Sequence, residues 1–166
     1  MFQIAGELVR AGRAYEQARD FDHAIACYRE AGDAASQVEA LERRGDIFEA
    51  ARIALANDLP TRGIRLLQRV APDDPNYRDS CLLLTDTFER ERHFDLAARK
   101  LGDYVAASKP DDVAPELYAR LADLHEKSGD IESALDVHEA LRLVAPSYPT
   151  PATRAERPRT ARRAKR

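Results

Sequence analysis

Apolar residues return along this chain every three or four positions, and short polar clusters interrupt them at near-even intervals. Three stretches share one plan: residues 15–28 read YEQARDFDHAIACY, residues 88–101 FERERHFDLAARKL and residues 125–138 HEKSGDIESALDVH. Each opens on a large ring and continues polar. An apolar residue stands at the seventh place, Ala at the tenth and a large residue last. The spacing predicts helices near residues 3–18, 21–31, 34–44, 46–57, 60–71, 76–91, 94–108, 114–128 and 131–145. In the last of these, Leu135, Leu141 and Val144 form an apolar row beside Ala134, Val137 and His138. No stretch alternates in the manner of a strand.

The interruptions read as turns: RDFD at 19–22, AGD at 31–33, RGD at 44–46, NDLP at 57–60, PDDP at 72–75, RHFD at 92–95, KPDD at 109–112 and SGD at 128–130. Glycine takes the left-handed conformation that ends a helix. The Asp after it accepts hydrogen bonds from the free amides of the next helix. The acid pairs at 73–74 and 111–112 are expected to cap helices in the same way. RGD belongs with AGD and SGD as a turn, not as an adhesion motif. Short helices joined by tiny loops make an array of antiparallel hairpins.

Ala24, Gly63, Ala97 and Ala134 fall in one column, at spacings of 39, 34 and 37 residues. Two helices of a hairpin approach closely only where a side chain is small, which holds this column to Ala or Gly. Large residues at Tyr15, Phe88 and His125 are expected to fill the adjoining space. A helix–turn–helix unit near ~34 residues is the tetratricopeptide period, and residues 5–148 resemble that family. The matching positions are Leu8, Ala11, Gly12, Tyr15, Phe21, Ala24, Tyr28 and Ala31 in the first repeat. The second offers Ile47, Ala50, Ala51, Ala54, Gly63, Leu67, Val70 and Pro75. The third offers Cys81, Leu84, Thr85, Phe88, Phe94, Ala97, Leu101 and Tyr104. The fourth offers Tyr118, Leu121, Ala122, His125, Gly129, Ala134, His138, Leu141 and Pro146. Ala54 stands where the family has a large ring, and five extra residues enter before the second repeat. They make residues 34–44 a separate short helix or lengthen the next one. The expected fold is all-α: a right-handed superhelix of tetratricopeptide-like hairpins over residues 1–148, with a disordered basic tail over 149–166.

The resemblance implies a concave groove lined by the first helix of each hairpin, and a peptide or protein partner within it. The family's inner-face positions carry over to Val9, Arg10, Arg13 and Glu16; to Phe48, Glu49 and Arg52; to Leu82, Asp86 and Glu89; and to Ala119, Arg120, Asp123 and Glu126. The Lys and Asn set of the family's carboxylate clamp is missing, which argues against capture of an acidic chaperone tail. The partner-binding candidates are therefore Arg10, Arg13 and Arg52 at one end, and Asp86, Glu89, Arg120, Asp123 and Glu126 at the other.

Charge adds a second feature. The chain of 166 residues has a formal net charge of −3. Arg154, Arg157, Arg159, Arg162, Arg163, Lys165 and Arg166 face one acid, Glu156, so the tail is +6 and the remainder −9. The segment PSYPTPATRAERPRTARRAKR has no apolar period and is too polar to offset its ordering entropy. Such a tail suits phosphate contacts without base preference, a linker, or docking on an acidic surface. Nucleic acid is thus the alternative partner, and a homo-oligomer stays open.

Little else in the sequence carries chemistry. Cys27 and Cys81 lie in apolar stretches without a CxxC partner and read as core residues. His23, His93, His125 and His138 have no ligand spacing, so no metal is expected. No nucleophile–base arrangement and no phosphate-cradling glycine loop is present, and the chain is expected to be a non-enzymatic scaffold or adaptor without a cofactor. The start MFQIAGELVR lacks a basic segment and carries Glu7, unlike a secretion signal. No run approaches ~18 apolar residues, and a cytoplasmic location is expected.

Overall fold

The computed structural model describes residues 2–149; the tail residues from Arg154 to Arg166 lie outside the described part, and with them the expectation of disorder. Among the described residues all regular structure is helical. The helices are α1 Phe2–Gln17, α2 Phe21–Ala31, α3 Ala34–Arg44, α4 Ile47–Ala56, α5 Pro60–Leu67, α6 Tyr77–Arg90, α7 Phe94–Ala107, α8 Pro115–Ser128 and α9 Ile131–Val144. A 3₁₀ turn, Pro110–Asp112, precedes α8. The residues group into two compact units divided between Ser80 and Cys81, inside α6.

The joints between helices repeat one construction. At Gly32, Gly45 and Gly129 the backbone turns left-handed, with φ of 72°, 100° and 92°. The amide of Gly32 returns to the carbonyl of Arg29, and that of Asp33 to Tyr28, at 3.1 and 2.9 Å. This bond pair satisfies carbonyls that the helix end would otherwise leave open. It recurs at Gly45–Asp46 and Gly129–Asp130, and also at Arg19–Asp20 and Arg92–His93. There the left-handed residue is arginine, at φ 60° and 63°. Asp20, Asp33 and Asp130 then accept the amides of His23, Ser36 and Ser133. Each Asp therefore ends one joint and begins the next helix.

Two capping expectations need correction. Asp46 makes no side-chain cap; its carboxylate pairs with Arg44 instead. Asp111 and Asp112 lie inside the 3₁₀ turn, and Ala114 takes the cap position of α8 with Pro115 in its first turn. Pro110 and Pro115 set both starts, since their missing amides need no partner there. Asp74 does accept the amide of Asn76, at 2.7 Å, just ahead of α6. The apolar pattern also carried the fifth helix to residue 71, but α5 stops at Leu67. The amides of Arg69 and Val70 fold back to Leu66 and Leu67, and the Ser80 hydroxyl donates to the Leu67 carbonyl. Val70 is thereby buried in the core, and Ala71, preceding Pro72, is disfavoured from helix.

In the first unit α1 packs on α2, α2 on α3, α3 on α4 and α4 on α5. The extra residues thus form a helix of their own, α3, rather than an extension. In the second unit α7 packs on α8 and α8 on α9. The small column is fully enclosed: Ala24, Ala97 and Ala134 expose no surface, and Gly63 is buried. A Cβ at Gly63 would stand 2.5 Å from Leu55 Cγ and 3.3 Å from the Ala51 carbonyl, so α4 and α5 meet through the missing side chain.

The large residues distribute differently from the expectation. Phe88 is buried, but Tyr15 is 39% exposed and stacks on the His23 ring at 5.0 Å. The space beside Gly12 is filled by Tyr28 from α2. On α9 the buried row is Ala134, His138 and Leu141, while Leu135 faces solvent. Positions 134, 138 and 141 share the helix face that meets α8, and 135 lies a quarter-turn away.

Candidate functional site

The first helices of the hairpins place the charged candidates on the surface. Arg10 and Arg13 are exposed on α1 and make no ion pair among the described residues. One turn on, Glu16 is held inward. The Tyr28 hydroxyl donates to Glu16 Oε2 at 2.8 Å, and Arg43 from α3 lies 3.5 Å from Oε1, which has no hydrogen bond. Burial, with the adjacent Glu16 carboxylate, pushes the Tyr28 phenol up to about 12. Glu16, Arg19, Phe21 and Arg43 border an open hollow of about 620 Å³.

Arg52 on α4 is exposed and pairs with Glu49 one turn before it, at 2.8 Å. Both line a cleft of about 480 Å³ together with Phe48, Ile47 and Pro75; Arg44, Asp46, Asp74 and Asn76 complete its polar rim. The three second-repeat positions carried over from the family resemblance, Phe48, Glu49 and Arg52, thus border a single concavity. The RGD turn sits at its edge, with Arg44 tied to both Asp46 and Asp22.

In the second unit the candidates come together as one network. Arg120 on α8 donates to Glu89 at 2.8 Å and to Asp86 at 2.5 Å, both on α6. Lys127 bridges Glu89 at 3.0 Å and Asp123 at 2.7 Å. These hydrogen bonds, Arg120's first, hold the Glu89 carboxyl below its ordinary range. Asp123 and Glu89 in turn raise the Lys127 ammonium above its ordinary value. Lys127 also lies 5.6 Å from the Phe94 ring centroid, as Arg92 does at 5.7 Å. Glu126 lies 3.7 Å from His138 Nε2. Asp86, Glu89 and Asp123 are therefore interleaved with cations and do not form a bare acidic surface.

Sequence reasoning passed over Lys127, although its place four residues after Asp123 is a standard helix pair. It also passed over Phe94 as a cation partner. Cys27 is half-buried, Cys81 is buried, and neither forms a disulfide. Among the described residues no three metal-ligating side chains converge, and no helix is long and apolar enough to cross a membrane.

Comparison with known proteins agrees with this architecture. Residues 8–37 match the tetratricopeptide repeat family model. That span runs from α1 through α2 into α3. No curated protein matches the chain in sequence. A solved structure described as the MamA protein aligns with 87% of this chain and 93% of its own, at 16% identity and a TM-score of 0.50. A second MamA structure aligns with 81% of this chain and 74% of its own, at 18% identity and a TM-score of 0.46. The chain is thus an all-α array of tetratricopeptide-like hairpins, with its sequence-matched repeat at residues 8–37.

Proposed function

We propose that this chain is a non-enzymatic interaction module that binds a peptide segment of a protein partner along the first helices of its hairpins. The observation that carries the proposal is the cleft of about 480 Å³ bordered by Phe48, Glu49 and Arg52. It combines apolar Ile47, Phe48 and Pro75 with charged and polar neighbours, a mixture that protein recognition sites use. Arg52 and Glu49 offer a donor and an acceptor to a peptide main chain. In the second unit, the guanidinium of Arg120 is already fixed between Asp86 and Glu89, so ordering it costs little when a partner arrives. Arg10 and Arg13 in the first unit, and Asp123 and Glu126 in the second, are further candidate contacts, each within its own unit. In a second reading, which rests on the composition of residues 149–166, the tail holds nucleic acid or another anionic surface.

Parallel affinity captures test both. The baits are the full chain, the chain ending at Tyr148, and the full chain with Phe48→Ala and Arg52→Glu. A protein held by the first two and lost from the third supports cleft binding. Partners lost only from the shortened chain, and released by moderate salt, assign the interaction to the tail.

A further inference from the structure

Away from the first helices, the segment after Pro60 carries three arginines on one face. Arg62, Arg65 and Arg69 are spaced by three and four residues and line a hollow of about 270 Å³ with Leu66 and Glu42. Leu66 is 2% exposed and floors it. Glu42, from α3, accepts from Arg62 at 2.8 Å and from Arg69 at 2.6 Å. Burial opposes the Glu42 charge, but these two hydrogen bonds outweigh it and hold the carboxyl below its ordinary value. An ionised oxyanion is thus already gripped by two of the guanidinium groups. Arg65 lines the same hollow and makes no ion pair among the described residues.

We propose that this pocket binds a phosphate monoester carried on a side chain of a protein partner. Three guanidinium groups face two carboxylates, lining Glu42 and, beside Arg62, Glu39, which leaves one positive charge unmatched. Each guanidinium has five donors in a planar fork. Arg62 and Arg69 use only some of theirs on Glu42, and Arg65 keeps its full set. A phosphate dianion supplies three oxygens and a second charge, and arginine clusters recognise that combination through paired hydrogen bonds. The hollow suits one phosphorylated residue better than a nucleic acid strand. Glu39 lies 3.8 Å from Arg62, and the chain before residue 154 is strongly acidic. A polyanion extending beyond the pocket meets Glu39 and a chain body of net negative charge, whereas a single phosphoserine or phosphothreonine places its charge only within the pocket. The site shares no residue with the Phe48–Arg52 cleft and does not depend on that proposal.

The full chain is titrated with N-acetyl-phosphoserine methylamide, its unphosphorylated form, inorganic phosphate and a ten-residue oligothymidylate. Binding is read by ³¹P NMR and by ¹H–¹⁵N shifts. The phosphoserine probe is expected to shift the backbone signals of Arg62, Arg65 and Arg69, and the unphosphorylated form to shift none of them. Arg65→Met, at an exposed position, is expected to weaken phosphoserine binding about tenfold, the scale of one charged hydrogen-bonding partner, while Arg142→Met, exposed on α9, leaves it unchanged. The proposal is overturned if the wild-type chain shows no shift at these arginines, or if Arg65→Met binds as tightly as wild type. Equal binding of inorganic phosphate assigns the pocket to the free anion and overturns the protein-borne source. Tighter binding of the oligonucleotide, lost with Arg65→Met, overturns it in favour of nucleic acid.

Discussion

Gly12 lies so close to Tyr28 that a Cβ at Gly12 would stand 2.6 Å from the Tyr28 ring. The ring cannot swing aside freely, because its hydroxyl is tied to Glu16 on the same helix as the glycine. Gly12→Ala is therefore expected to lower stability by about 1–3 kcal/mol, the usual scale of overpacking. Ala97→Leu and Ala134→Leu, at residues with no exposed surface, are expected to cost a similar amount. Exposed Glu132→Gln serves as the control. Thermal melts read all four.

Tyr28 also gives the first unit an alkaline limit. Its phenol is raised from an ordinary value of 10.0 to about 12. A raised value means that the stabilisation is complete below pH 10 and is lost as pH climbs through the folded value. The loss is on the order of 2–3 kcal/mol, at ~1.4 kcal/mol per unit. Absorbance at 295 nm is expected to show late tyrosine ionisation, from Tyr28 and from Tyr118, whose burial also raises its phenol, with unfolding advancing between pH 10 and 12. Tyr28→Phe is expected to reduce the late amplitude by one tyrosine.

Glu89 sets the opposite limit in the second unit. Its carboxyl is lowered from an ordinary value of 4.5 by Arg120 and Lys127. A lowered value gives stability that is present above pH 4.5 and lost as pH falls through the folded value. Glu89→Gln is expected to cost roughly 1–2 kcal/mol at pH 7, and the gap to wild type is expected to close toward pH 3. Denaturant melts across that range measure it.

The left-handed arginines mark stability left unused. A non-glycine residue at φ near 60° carries a cost of roughly 1 kcal/mol or more. Arg19→Gly is expected to raise stability by about 0.5–1 kcal/mol, after allowance for the extra freedom glycine gains in the unfolded chain. Gly45→Ala, at φ 100°, is expected to lower it by about 1–2 kcal/mol. Differential scanning of the two variants gives opposite shifts in Tm.

The period of apolar residues located each helix within a few residues, because burial on one face recurs every 3.6 positions. Gly32–Asp33, Gly45–Asp46 and Gly129–Asp130 were legible as joints because glycine signals a left-handed turn. Arg19 and Arg92 adopt the same turn without any such signal, since the surrounding helices impose it. Period tells which face is buried but not which neighbour covers it. Leu135 looked like a core residue for that reason, and Tyr28 rather than Tyr15 fills the space at Gly12. The bonds from Arg120 to Asp86 and Glu89, and from Arg62 and Arg69 to Glu42, join residues 20 to 34 positions apart. No local spacing encodes such pairs. The cleft residues Phe48, Glu49 and Arg52 came through the family resemblance alone.

In the joints that share the Gly–Asp construction, one residue closes a helix and its neighbour opens the next, so no slack remains between them. One inserted residue there would rotate the following helix by about 100° about its own axis and turn its buried face to water. Segments 68–76 and 108–114 lack that tight register. Changes in chain length between relatives of this protein should therefore collect in those two segments, and grafting of foreign loops should succeed there and fail at residues 32–33, 45–46 and 129–130.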